Sequence, residues 1–153
     1  MNVKRQSNGQ TISLGRVLAK GGTASIYEVP QVPLSAAKIY NMNLMNDKTS
    51  SKLEVMFANP PSDPMKATGH VSFTWPMDIL LLDDASNKVI GYLMQSIEGM
   101  RPLVDYYDSI SRPWKYSAHS YDHLCRIALN LASVVTALHD SGYLIGNRFK
   151  KGG

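Results

Sequence analysis

Lys38 is the residue in this chain that most needs a chemical explanation. It sits in Ala36-Ala37-Lys38-Ile39-Tyr40, a run otherwise small and apolar that reads as a strand buried on both faces, where an ammonium needs a carboxylate or a phosphate to balance it. Upstream, the stretch from Leu18 to Val29 reads as two strands joined by Gly21-Gly22, with glycine permitting backbone angles that other residues avoid. A turn without side chains lets backbone N–H groups approach a phosphate. Taken singly these signals are weak, because Gly-Gly closes many hairpins and most lysines are solvated. Downstream, Glu54 is the one acidic residue past the cap region of a predicted helix that runs through Lys52, Leu53, Val55, Met56 and Phe57. It either pairs with Lys38 or pairs at turn spacing with Lys48 or Lys52 on the helix surface, and the buried strand around Lys38 favours the first.

The elements that must hold these residues follow from pattern. Met1–Gln10 reads as a flexible leader, Thr11–Leu18 as the first strand, the glycine hairpin as the approach to a second strand ending at Val29, and the strand of Lys38 as the third. Asn46 or Asp47 caps the helix that carries Glu54, and Pro60-Pro61 stops it. Asp78–Leu82 and Lys88–Met94 form a fourth and fifth strand around Asp83-Asp84-Ala85-Ser86-Asn87, where the paired aspartates read as turn chemistry in preference to a metal site. Residues Arg101–Tyr107 form a short helix. Tyr121–His139 is a long one, with Leu124, Ile127, Ala128, Leu131, Val135 and Leu138 at helical spacing and Ser141-Gly142 at its end. This gives an α+β fold: a five-stranded antiparallel sheet with one helix, then mostly helix.

The order glycine turn, strand lysine, helix glutamate, hairpin resembles the amino-terminal lobe of the protein kinases, which carry G-x-G-x-x-G-x-V and V-A-I-K where this chain has A-K-G-G-T-A-S-I-Y and S-A-A-K. Gly21 matches the middle glycine of three, and Ala19 and Ala24 stand at the others. The resemblance implies an ATP site in which Gly21, Gly22 and Thr23 lie over the phosphates, Ile26 and Ala36 face the base, Lys38 pairs with Glu54, Met94 guards the back of the pocket, and the backbone of Gln95 and Ile97 meets the adenine edge. It divides the chain into a leader (1–10), a lobe and hinge (11–97), an incomplete start of a second, helical lobe (98–147) and an unrelated tail (148–153). More narrowly, KLEVMFANPP, FTWP and ALNLASVVTALHDSGYLIGN resemble a bacterial serine/threonine kinase-like family whose catalytic loop reads I-G-D-x-N and which sometimes carries a helix-hairpin-helix module. Asn147 stands where that loop has its aspartate, and RFKKGG does not continue it. An amide cannot accept the proton such an aspartate takes, and no D-F-G follows, so Mg2+ is not supported and the chain alone is expected to be inactive.

Three readings remain: the amino-terminal part of a kinase-like enzyme, a short pseudokinase serving as a regulatory or protein-binding module, and an unrelated α+β domain. The apolar stripe of Tyr121–His139 calls for a covering surface, which implies a protein partner or self-association. A net charge of +4 without a basic stripe argues against nucleic acid. The polar start and the single Cys125 point to a reducing cytoplasm, and no apolar run approaches membrane-spanning length. His119, His123 and His139 lack converging acidic or cysteine ligands, so no metal site is expected.

Overall fold

The computed structural model describes residues 1–96, 99–100, 103–107 and 121–145. They fall into two units, one holding Met1–Pro60 with the chain from Thr74 to the end of the last strand, the other holding Pro61–Phe73 and the described residues from Gly99 on.

In the first unit, seven strands replace the expected five. They are β1 (Asn2–Arg5), β2 (Thr11–Ser13), β3 (Val17–Lys20), β4 (Ala24–Glu28), β5 (Ser35–Tyr40), β6 (Asp78–Leu82) and β7 (Val89–Gln95), ordered β2-β1-β6-β7-β5-β4-β3 in one antiparallel sheet. Two corrections account for the difference. The expected leader is a strand: β1 pairs with both β2 and β6, its Val3 is fully buried, and Arg5 reaches the buried carboxylate of Asp78 at 2.7 Å. Ser7 adds its N–H (3.1 Å) and hydroxyl (2.5 Å) to the same carboxylate. The expected first strand, Thr11–Leu18, is broken at Gly15. There the chain leaves β1 and joins β4, with Leu14 N–H bonded to the Met1 carbonyl and Gly15 N–H to that of Glu28. A Cβ at position 15 would lie 3.3 Å from both the Glu28 carboxylate and the Pro30 ring, so a larger residue would strain the crossing.

Each face of the sheet has its own core. One gathers Val3, Ile12, Leu14, Val29, Ala37, Ile39, Leu80, Ile90 and Leu93, and the β1–β2 hairpin contributes to it through Val3 and Ile12. The other gathers Met45, Leu53 and Ile79 with Tyr40, Leu81, Val89 and Tyr92 around them. Helix α1 (Asp47–Ala58) lies on this second face through Leu53, its one buried residue. Asn46 is the cap, its side-chain oxygen accepting from Thr49 N–H at 2.9 Å, and Trp75 ties down the last turn by donating its indole N–H to the Met56 carbonyl at 2.8 Å. With so little of α1 buried, the cap is a large share of what holds the helix. Asn46→Ala should therefore lower the unfolding free energy by about 1 kcal/mol, read from the midpoint of a urea titration.

The second unit contains α2 (Val104–Tyr107) and α3 (Tyr121–Asp140), the long helix the periodicity predicts. None of the 20 residues of α3 is buried, and Leu129 and Leu131 are well exposed. Asp63 organises the loop that joins this unit, accepting from Met65 N–H, Ser72 N–H and the Ser72 hydroxyl. Desolvation pushes its carboxyl up, but those three donors hold it below the usual carboxylate range. Among the described residues, no helix is long and apolar enough to cross a membrane.

Candidate functional site

The site is built on strand register. Lys38 on β5 stands opposite Ile26 on β4 and Tyr92 on β7, while Ala36 stands opposite Glu28 and Met94. Directly opposed residues of antiparallel strands share a face, and so do residues two apart. Ile26, Ala36, Lys38 and Met94, four of the residues expected to line a ligand site, therefore lie together on the face that also carries α1. Ala36 and Met94 are buried, and Ile26 and Lys38 are half-buried. Gln95 falls on the opposite face by alternation. Its pairing partner is Ser35, and both line a separate cavity of about 460 Å³ walled by Val32, Pro33 and Leu34.

At the glycine turn, Gly21 N–H closes the hairpin onto the Ala24 carbonyl at 2.9 Å. Neither Gly21 nor Gly22 uses the left-handed region, so their contribution is absence of bulk; a Cβ at Gly22 would meet nothing within 4 Å. Asn41 holds the turn from behind, its N–H donating to the Thr23 carbonyl (2.9 Å) and its side-chain amide to that of Gly22 (2.7 Å). Both turn carbonyls are thereby occupied, while the N–H groups of Gly22 and Thr23 have no protein partner among the described residues. An anion meets such a turn through its donors. Asn41 was not legible as a site residue, because a polar Asn-rich segment after a strand reads as loop.

The expected Lys38–Glu54 ion pair is not formed. Among the described residues no carboxylate lies within 4.0 Å of the Lys38 ammonium, and Glu54 is on the exposed side of α1. The reason lies in helical phase: Leu53 is the residue α1 turns into the sheet, and its neighbour in sequence is rotated about 100° away from it. The ammonium instead lies 5.6 Å from the ring centroids of both Tyr40 and Tyr92, which are themselves 6.3 Å apart. Burial raises both phenols above their ordinary range; for Tyr40 the neighbouring Tyr92 adds to the rise and the Lys38 charge opposes it. Ile97 and Asn147 lie outside the described residues. The Asp83–Asn87 turn is closed by Asp84, which accepts from both the N–H and the hydroxyl of Ser86.

A lysine and an apolar floor thus share one sheet face beside a turn with two N–H donors unpaired among the described residues. Over 141 residues, 92% of its length, the chain is 30% identical to Protein kinase YegI of Escherichia coli (strain K12). It is homologous to that protein. A second relative, Protein kinase YegI of Escherichia coli O157:H7, is 28% identical over 141 residues, again 92% of this chain. The chain spans about a fifth of the length of these curated relatives, 21% in each case. The homology to YegI supports a kinase-like family and agrees with the mixed helix and sheet architecture. No family model and no solved structure matches the chain.

Proposed function

We propose that this chain is the nucleotide-binding, amino-terminal part of a serine/threonine kinase-like protein of the bacterial type. The observation that carries the reading is the register that gathers Ile26, Ala36, Lys38 and Met94 on one face beside the Gly21-Gly22-Thr23 turn, and the homology to Protein kinase YegI supports it. In this reading the ATP base rests on Ile26, Ala36 and Met94. The triphosphate takes the Gly22 and Thr23 N–H groups and, by a charge-assisted contact, the Lys38 ammonium. The compartment that fits the exposed free thiol of Cys125 is a reducing cytoplasm.

Thermal denaturation with increasing ATP, with and without Mg2+, tests the proposal. Ligand that binds only the folded state raises the melting temperature in step with its concentration, so the wild-type chain should shift upward and Lys38→Ala should shift by much less. An equal response in the two proteins would remove Lys38 from the site.

Asn147 favours a second reading, a binding or regulatory module that holds nucleotide without turnover, because an amide cannot serve as the proton acceptor that an aspartate would be there. Transfer of labelled γ-phosphate to the chain itself or to a protein acceptor would exclude that reading.

A further inference from the structure

We propose that Tyr40 and Tyr92 are the positioning residues of Lys38, holding its ammonium by their ring faces in the role expected of the Glu54 carboxylate. The inference rests on the nucleotide-binding reading above and deepens it: the ligand class is a triphosphate, and the group that meets it is a cation with no anionic partner among the described residues.

The two rings are neighbours. Tyr40 lies two residues from Lys38 on the same strand and Tyr92 is its cross-strand partner, so β5 and β7 bring two rings, 6.3 Å apart, to the same side of the ammonium. At 5.6 Å from both centroids the ammonium is within the range in which the negative ring face attracts a cation. Both rings are fixed in turn, since they pack around the Met45, Leu53 and Ile79 cluster. A long flexible stem is thereby confined without a salt bridge. The chemical difference from a carboxylate is that an aromatic quadrupole orients a cation without neutralising it, and it leaves N–H donors for an incoming phosphate oxygen. A carboxylate in the same place would compete with the phosphate for those donors.

Two measurements on the full chain test this. The first needs no nucleotide: a methylene beside ring faces is shielded, so the Lys38 Hε resonances should lie upfield of those of the other lysines. They should move part of the way to the common position in Tyr92→Leu, reach it in the double variant Tyr40→Leu with Tyr92→Leu, and stay shielded in Tyr92→Phe, which keeps the ring and the packing. The second is calorimetric titration with ATP. Tyr40→Leu and Tyr92→Leu should each weaken binding about two- to fivefold, while Tyr92→Phe and Glu54→Gln remain within about twofold of wild type. Circular dichroism confirms that each variant is folded before it is titrated. Unshielded Lys38 resonances in the wild type would overturn the placement. Binding that depends on Lys38 and Glu54 but ignores the loss of either ring would overturn the positioning role while leaving the nucleotide site in place. A wild-type chain that takes up no ATP would sink the nucleotide reading itself, and the triphosphate assignment with it.

Discussion

Gly91→Ala should lower the melting temperature by about 5–10 °C, through a loss of about 2–3 kcal/mol, and it should do so without touching any ligand-facing side chain. Gly91 stands opposite Ile39 where β7 passes β5, and a Cβ built on it would lie 2.0 Å from the Lys38 carbonyl oxygen and 3.0 Å from Ile39 Cα. Those are backbone atoms in the middle of the sheet. They cannot swing aside as the end of a side chain can, so the two strands must separate and lengthen the ladder bonds on both sides of Lys38. The comparison that isolates the effect is Gly22→Ala. Nothing lies within 4 Å of that Cβ and the backbone there is not left-handed, so the fold should hold its stability or gain slightly as the unfolded chain loses freedom. Differential scanning calorimetry on the two variants reads both outcomes. Equal melting temperatures would mean that β5 and β7 do not approach as closely as described.

Arg5→Ala is expected to be at least as damaging, at about 3 kcal/mol, although the residue lies near the start of the chain and its side chain is 22% exposed. What it leaves behind decides the magnitude. Asp78 is completely shielded from solvent, and without the guanidinium its charge is met, among the described residues, by Ser7 alone. The arginine itself can reach water, so Asp78→Asn should cost less than Arg5→Ala. The double variant Arg5→Ala with Asp78→Asn should regain part of the loss, because a neutral amide needs no counter-charge. Urea titration of the three variants measures the coupling, and additive costs would show that the two residues do not act as a pair. Limited proteolysis between Gln6 and Gln10 supplies a local readout, since freeing Arg5 loosens the β1–β2 hairpin.

What the sequence disclosed, and what it hid, follows from how far apart the interacting residues are. Strands β4, β5, β6 and β7 announce themselves through short apolar runs bounded by turn residues, and α3 through six apolar side chains at helical spacing. The cap was legible as Asn46 or Asp47 because a cap is a local device, and the structure selects Asn46. β1 was not: it buries one aliphatic residue, Val3, between polar neighbours, and its anchor is a carboxylate more than seventy positions away. Its content is tertiary. The same holds for the candidate site. Alternation alone puts Ala36, Lys38 and Tyr40 on one face, but Tyr92 joins them only through a register set by the whole sheet. Glu54 has a suitable position in sequence and the wrong helical phase, because Leu53 takes the buried direction. Leu34 is a further surprise, a bulky residue in the left-handed region at φ 59°, where its carbonyl receives the Ser96 N–H at 2.8 Å.

Gln31 carries a consequence for how the molecule behaves at high concentration. With its amide oriented so that nitrogen faces the Ser13 carbonyl (3.0 Å) and oxygen the Ser13 N–H (3.3 Å), one side chain occupies both backbone groups of Ser13 on the outermost strand β2. A glutamine thus stands in for a neighbouring backbone. Replacing it with alanine would leave the Ser13 groups open beside those of Thr11 and lengthen the template for edge-to-edge aggregation, a hazard that stability measurements on dilute protein would not reveal.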